Sequence, residues 1–133
     1  VGKILRCLED CGLGGSTHVL YSSDHGDSVG TRGLWGKSTM YEESVGIPMI
    51  LAGPGVAAGK VVGTPASLTD VFATVVDAVG VAEPPPSGST SLFALAEGAE
   101  PDRTCLSEYH ATGSREAAFM LREGRYKYVR YVT

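Results

Sequence analysis

Two side chains that can bind a metal ion stand next to each other in this sequence. They are Asp24 and His25, and Lys37 follows in a glycine-rich stretch. A carboxylate beside an imidazole suits several divalent cations, and a lysine nearby can pair with a sulfate or phosphate oxygen. These residues predict part of a site for a divalent cation and an anionic oxygen group. The alternatives are that Asp24 caps a turn and that His25 and Lys37 are solvated surface residues.

The elements that must position this pair are a short strand and the loop after it. Residues 18–23, His-Val-Leu-Tyr-Ser-Ser, predict a buried strand that ends just before Asp24. Open α/β sheets bind ligands beyond the carboxyl ends of their strands. Adjacent strand residues point to opposite faces, so Asp24 and His25 can reach one ion only if the chain turns, which Gly26 permits. The glycine-rich residues 26–46 predict a long functional loop with room for one short helix.

Hydrophobic spacing predicts a helix on each side of this strand–loop unit. Residues 1–11 have a helical apolar pattern, with Cys7 and Cys11 expected to face the core. Residues 67–70, Ser-Leu-Thr-Asp, have the form of a capping box before a second helix that ends at Gly80. We expect the apolar stripe of this second helix to be its core face. The stripe consists of Leu68, Val71, Phe72, Val75 and Val79.

Strand patterns recur in the second half of the chain. Pro48 opens an apolar run at 49–52, which predicts another strand. Residues 82–91 are rich in proline and serine and predict a stiff polar linker. Three strands are predicted beyond it, at 104–109, 117–122 and 125–132, with the turn Glu123-Gly124 joining the last two. This order of elements predicts an α/β fold with a small antiparallel hairpin subdomain.

Composition sets only broad bounds on function. The 133 residues carry a formal net charge of -4, which gives no reason to expect nucleic acid or an anionic membrane as a partner. No apolar run approaches the roughly 20 residues that a membrane-spanning helix needs. The 3 cysteines do not resemble a disulfide framework, and the compartment cannot be inferred from the sequence. Gly36-Lys37-Ser38 is not a phosphate-binding P-loop, because Thr31 stands where that motif requires glycine.

Several motifs, taken together, resemble one known family. They are Thr-His-Val-Leu-Tyr-Ser-Ser-Asp-His-Gly-Asp at 17–27, Gly-Leu-Trp-Gly-Lys-Ser-Thr-Met-Tyr-Glu-Glu-Ser at 33–44, and shorter matches at 47–50, 67–70, 107–110 and 126–128. Their joint spacing resembles the C-terminal half of the catalytic domain of sulfatases, in the alkaline-phosphatase-like superfamily. The resemblance implies part of a three-layer α/β sandwich. It also implies a division into a catalytic-domain half (1–81), a linker with a short helix (82–103) and a strand with a β-hairpin (104–133).

The resemblance implies a role for each candidate residue. Asp24 and His25 match residues that complete the calcium site of such sulfatases, and Lys37 matches the lysine that contacts the sulfate ester. His110 matches a region near the site and is a candidate for lining the substrate pocket. The implied substrate is a small sulfate ester. A phosphonate or phosphate diester hydrolase of the same superfamily would instead use Mn²⁺ or Zn²⁺.

One part of the implied site is absent from these 133 residues. Sulfatases carry a pair of aspartates and a Cys/Ser-x-Pro/Ala-x-Arg motif, whose first residue is oxidised to the formylglycine nucleophile. No cysteine or serine in this sequence begins that motif. We therefore expect this chain to be inactive alone, and to self-associate through apolar surface that a missing half would cover. A non-catalytic domain that binds a metal or a partner is the remaining alternative.

Overall fold

The computed structural model describes residues 1–82, 88–111 and 114–133, and it contains helices and antiparallel sheets. The helices are α1 (Gly2–Asp10), α2 (Glu42–Val45), α3 (Thr69–Val79) and α4 (Leu92–Glu97). The strands are β1 (Val19–Ser22), β2 (Met49–Ala52), β3 (Thr104–Tyr109), β4 (Ala117–Glu123) and β5 (Tyr126–Val132). Half of the predicted linker, 83–87, lies outside the described residues. The division into three segments stays a prediction.

Strands β1 and β2 form a two-stranded antiparallel sheet, in which Val19 stands opposite Ala52 and Ser22 opposite Met49. Both strands lie where the sequence predicts them, and β2 begins directly after Pro48. However, β1 was predicted to be buried, and none of its residues is. The chain between them contains the glycine-rich loop, a short 3₁₀ turn at Thr31–Gly33 and the helix α2. The carboxyl end of β1 therefore lies beside the amino end of β2. Asp24 and His25 follow β1 at this edge.

Helix α3 buries a different face from the one that we predicted. Phe72 and Val75 of the apolar stripe are 49% and 53% exposed, whereas Ala73 and Thr74 are buried. Helix α4 and the segment before it cover this second face, where the Leu92 N–H donates to Thr74 Oγ1 over 2.9 Å. The small side chains of Ala73 and Thr74 let α4 approach α3 closely. Within the described residues, no helix is both long and apolar enough to cross a membrane.

Helix α1 also differs from its predicted packing. Its bounds agree with the sequence pattern, but none of its residues is buried. Cys7 and Cys11 are both exposed, so the prediction that they face the core was wrong. The periodic pattern correctly predicts the helix, but the described part of the chain provides no element that covers its apolar face.

Strands β3, β4 and β5 form a three-stranded antiparallel sheet. Glu123 stands opposite Tyr126, so the turn between β4 and β5 is Gly124-Arg125, one residue later than predicted. Gly124 has φ 49°, the left-handed conformation that glycine adopts at low cost at the first position of such turns. One face of the sheet packs against the loop after β1. This small core contains Met40, Ala118 and Met120, flanked by Val45, Tyr109 and Val129.

Candidate functional site

The two nitrogen atoms of His25 have different partners, which defines the chemistry of its ring. Nδ1 lies 2.7 Å from the carbonyl oxygen of Gly26, so it carries the proton and donates it. Nε2 lies 3.2 Å from Asp24 Oδ2 and 2.5 Å from Lys37 Nζ, so it stands next to both a carboxylate and an ammonium group. Metal-binding histidines commonly donate one ring N–H to a backbone carbonyl in this way, which orients the other nitrogen towards the ion.

A tight turn holds Asp24 and His25 on the same side of the chain. The Ser23 hydroxyl donates to the carbonyl oxygen of His25 over 2.7 Å, and the Gly26 N–H donates to the carbonyl oxygen of Ser44 over 2.8 Å. A Cβ at Gly26 would lie 2.0 Å from the backbone oxygen of Glu43, and Gly26 has no left-handed φ. Glycine is therefore required here for close packing against α2, and the turn predicted at this position needs no left-handed backbone angle.

Asp27 holds the two ends of the glycine-rich loop together, which brings Lys37 close to His25. Its Oδ1 accepts hydrogen bonds from the N–H groups of Val29 and Gly36, over 2.9 and 3.2 Å. The backbone adds a third bond at the base of the loop, from the Ser28 N–H to the Gly36 carbonyl oxygen. Lys37 follows immediately, so the hydrogen bonds to Asp27 hold the backbone from which its side chain extends. This role of Asp27 was not predicted, although aspartate commonly accepts hydrogen bonds from nearby backbone N–H groups in turns.

An ion pair fastens the same loop to α2. The Arg32 guanidinium donates to the Glu43 carboxylate and lies over the ring of Tyr41, 4.6 Å from its centroid. The hydrogen bond with Glu43 raises the pKa of Arg32 and lowers the pKa of Glu43. Arg32 has φ 56°, a left-handed conformation that costs a non-glycine residue energy. Its contacts with Glu43 and Tyr41 help to hold the loop in this form.

The pair Asp24–His25 and Lys37 line one cleft of about 610 Å³. The opposite wall comes from the sheet of β3, β4 and β5, including Cys105, Ser107, Met120, Arg122 and Lys127. Lys127 Nζ donates to Glu42 Oε2 over 2.7 Å, which joins the sheet to α2. Sequence reasoning missed Arg122 and Lys127, because their placement at the cleft depends on the register of the three strands.

His110 lies apart from the other three candidate residues. It is not among the residues that line the cleft, and its ring packs edge-on against Phe119 with centroids 5.2 Å apart. Phe119 alternates along β4 with Ala118 and Met120, whose side chains face the core. A substrate contact at His110 stays a prediction. The structure brings together Asp24, His25 and Lys37.

Asp24 Oδ2 and His25 Nε2 fit two positions around a divalent cation. A carboxylate oxygen and a deprotonated imidazole nitrogen both offer electron pairs, and these two atoms lie 3.2 Å apart, with Lys37 Nζ next to Nε2. The Asp24 side chain is 80% exposed at the cleft, so an ion can reach it. In the part of the chain that the structure describes, no third His, Cys, Asp or Glu completes the group. The donors present suit a cation that takes mixed oxygen and nitrogen ligands.

Comparison with known proteins identifies the family. The family model that matches this sequence is that of the sulfatases, over residues 1–81. The chain belongs to the sulfatase family. It is 34% identical to arylsulfatase K of Mus musculus over 98% of its own length and 25% of the relative. It is 37% identical to choline-sulfatase of Rhizobium meliloti (strain 1021), covering 97% of this chain and 26% of the relative. The chain thus spans about a quarter of the length of these relatives.

Solved structures of sulfatase-like proteins have the same fold over nearly the whole chain. A protein in complex with its substrate D-glucosamine-2-N,6-O-disulfate aligns with TM-score 0.87 at 25% identity, over 98% of this chain and 28% of that protein. A phosphonate monoester hydrolase from Silicibacter pomeroyi aligns with TM-score 0.84 at 27% identity, over 98% and 29%. These alignments confirm the predicted α/β fold as part of the alkaline-phosphatase-like architecture.

Proposed function

We propose that this chain forms part of the catalytic domain of a sulfuric ester hydrolase. In this proposal Asp24 and His25 are two ligands of a divalent cation, and Lys37 contacts the sulfate group of the substrate. The observation that supports it best is that Asp24 Oδ2 and Lys37 Nζ both lie close to Nε2 of His25 at one cleft. Membership of a family that is generally metal-dependent agrees with these roles.

Each residue has a distinct task in the proposed reaction. The hydrogen bond from His25 Nδ1 to Gly26 holds the imidazole so that Nε2 faces the cation beside the Asp24 carboxylate. The bound cation would supply Lewis-acid chemistry, polarising the ester oxygens and favouring the ionised nucleophile. The Lys37 ammonium would donate to a sulfate oxygen and stabilise the negative charge that accumulates there.

The nucleophile must come from outside these 133 residues. The relatives are about four times as long as this chain, since it covers 25% and 26% of them. The proposal therefore requires a longer protein with a Cys/Ser-x-Pro/Ala-x-Arg motif, as the family resemblance implies. The 133-residue chain by itself should hydrolyse 4-nitrophenyl sulfate no faster than buffer does. Robust turnover by the purified chain, lost in Asp24→Ala, would contradict this assignment.

Hydrolysis of phosphonate or phosphate diesters is the second candidate function. It is favoured by the alignment with a phosphonate monoester hydrolase at TM-score 0.84 and by a histidine among the proposed ligands, which suits transition metals. We propose Ca²⁺ as the cation if the substrate is a sulfate ester, and Mn²⁺ or Zn²⁺ if it is a phosphonate or phosphate diester. A non-catalytic domain that binds a metal or a partner is the third candidate.

One experiment separates these candidates. The complete protein that contains this chain is stripped of metal, reloaded separately with Ca²⁺, Mn²⁺ or Zn²⁺, and assayed with an aryl sulfate and an aryl phosphonate. A sulfatase should turn over the sulfate with the larger kcat/KM, whereas a phosphonate hydrolase should reverse this preference. Hydrolysis of neither ester with any of the three ions would support the non-catalytic domain and contradict both enzymatic proposals.

A further inference from the structure

A second cationic group faces the cleft from the wall opposite the proposed metal ligands. Arg122 of β4 stands between Cys105 of β3 and Lys127 of β5 in the strand register. Residues paired across neighbouring strands project to the same face of a sheet, so these three side chains share a face. All three line the same cleft as Lys37. The side chain of Arg122 is only partly exposed there.

Arg122 differs from neighbouring basic residues in its partners. Lys127 is bonded to Glu42, and Arg32 is bonded to Glu43. Among the described residues, Arg122 makes no ion pair with a carboxylate. Glu108 also lines the cleft. It stands opposite Phe119 in the register, however, so its strand position belongs to the other face of the sheet from that of Arg122. The guanidinium of a partly buried arginine at a cleft is suited to bind an oxyanion with two parallel hydrogen bonds.

We propose that Arg122 binds a second oxyanion of the substrate, a carboxylate or a further sulfate on the alcohol portion of the ester. This inference rests on the proposed function, because it needs a sulfate group held at Lys37. The cleft of about 610 Å³ lies within the roughly 300–1,000 Å³ range of small-molecule sites, so it has room for the alcohol portion as well as the sulfate. Arg122 thereby selects anionic sulfate esters over uncharged ones.

The test compares two aryl sulfates in the complete, metal-loaded protein: one with an uncharged ring and one with a ring carboxylate. Arg122→Gln should raise KM for the carboxylated ester by about 10–100-fold, the worth of a charge-assisted hydrogen bond, with kcat unchanged. KM for the uncharged ester should change by less than about 2-fold, because that ester makes no contact with the guanidinium. Arg122→Lys should give an intermediate KM for the carboxylated ester, since it keeps the charge but loses the two-bond geometry.

Arg130→Gln is the matched control, because Arg130 stands opposite Phe119 on the alternate face of the same sheet. It should leave both KM values unchanged. Equal changes in KM for the two esters in Arg122→Gln, or no change in either, would overturn the inference while leaving the proposed function intact. If the unmodified protein hydrolyses neither ester, the proposed function fails and this inference fails with it. Should Arg122→Gln not fold, an Arg122→Lys variant with parental KM for both esters would equally overturn the inference.

Discussion

Asp70 and Arg103 form a buried ion pair with two parallel hydrogen bonds, 2.7 Å from Nη1 to Oδ2 and 2.6 Å from Nη2 to Oδ1. Asp70 is fully buried and also accepts hydrogen bonds from the N–H groups of Ser67 and Thr90. Arg103 donates in addition to the carbonyl oxygen of Gly88. The pair therefore joins the first turn of α3 to the segments that precede α4 and β3.

Asp70→Asn should destabilise the chain severely. Losing one partner of a buried ion pair typically costs about 3–5 kcal/mol, and here it leaves Arg103 with only the half-exposed carboxylate of Glu100, 3.4 Å from its Nε. The free energy of unfolding from urea denaturation measures the effect. Asp77→Asn is the matched control on the same helix, since Asp77 is exposed and accepts one hydrogen bond from Ser91; it should cost about 1 kcal/mol or less. Equal costs for the two variants would contradict the central role of the pair.

Stability should also fall in acid because of Asp70. Burial alone raises the pKa of Asp70, but hydrogen bonds from Arg103 and from the Thr90 and Ser67 N–H groups outweigh it and hold the pKa below the ordinary 3.8. The folded state therefore binds this proton less readily than the unfolded state. The stabilisation that the ionised Asp70 carboxylate contributes is complete above about pH 3.8. It is lost as the pH falls through the lower pKa that Asp70 has in the folded state. Unfolding measured between about pH 2 and 6 should show this loss, and Asp70→Asn should remove that part of the pH dependence.

The sequence predicts the elements of this fold better than their packing. Both strands of the first sheet follow from local apolar runs, and α3 from its apolar spacing and its stop at Gly80. The predicted capping box forms only in part: the Ser67 N–H donates to Asp70 Oδ2, but the N-cap is Leu68 and no side chain caps the helix. The buried face of α3 could not be predicted in this way. Its stripe containing Phe72 is more apolar, but α4 packs against Ala73 and Thr74, and only the tertiary structure determines which face is covered.

The candidate site was likewise predictable only in part. Asp24, His25 and Lys37 could be grouped from spacing within one short stretch, and the structure brings them into contact. The opposite wall depends on the register of a hairpin. The predicted turn Glu123-Gly124 would place Arg122 opposite Arg125, whereas the actual turn, one residue later, places it opposite Lys127. Local sequence could not fix this pairing, so this half of the cleft was missed.

The outer face of the C-terminal sheet should support self-association of the 133-residue chain. Leu106, Leu121 and Tyr128 form one cross-strand row and are 53%, 43% and 63% exposed. Contiguous exposed apolar residues favour association, so sedimentation velocity should show a concentration-dependent increase in mass. Leu121→Glu should reduce it, while Val61→Glu, at an exposed loop position, should not. A monomer at all concentrations would contradict this prediction.

His25→Ala should weaken metal binding by the complete protein. Even outer-shell partners of metal-binding histidines typically contribute about 10–100-fold in affinity, so removal of a ligand should cost at least as much. Calorimetric titration of the metal-free protein with Ca²⁺ and with Mn²⁺ measures the change. His18→Gln is the control, because the Nε2 atom of His18 bonds the Pro54 carbonyl oxygen outside the cleft. Unchanged affinity for both ions in His25→Ala would rule out His25 as a ligand.

Lys37→Ala should lower kcat/KM for an aryl sulfate while leaving the metal in place. A hydrogen bond from an ammonium group is worth about 1.5–3 kcal/mol, so the loss should be about 10–100-fold. Lys60→Ala, a change at an exposed lysine outside the cleft, should keep the parental kcat/KM.

Metal affinity distinguishes this role of Lys37 from a structural one. Lys37 Nζ lies 2.5 Å from His25 Nε2, so its positive charge opposes a cation at that nitrogen. Removing the charge should leave the affinity for Ca²⁺ or Mn²⁺ unchanged or increase it. A fall in affinity together with the fall in kcat/KM would indicate that Lys37 holds the loop and the metal ligands in position. In that case the loss of activity would come from the disturbed metal site, and the proposed contact with the sulfate group would be wrong.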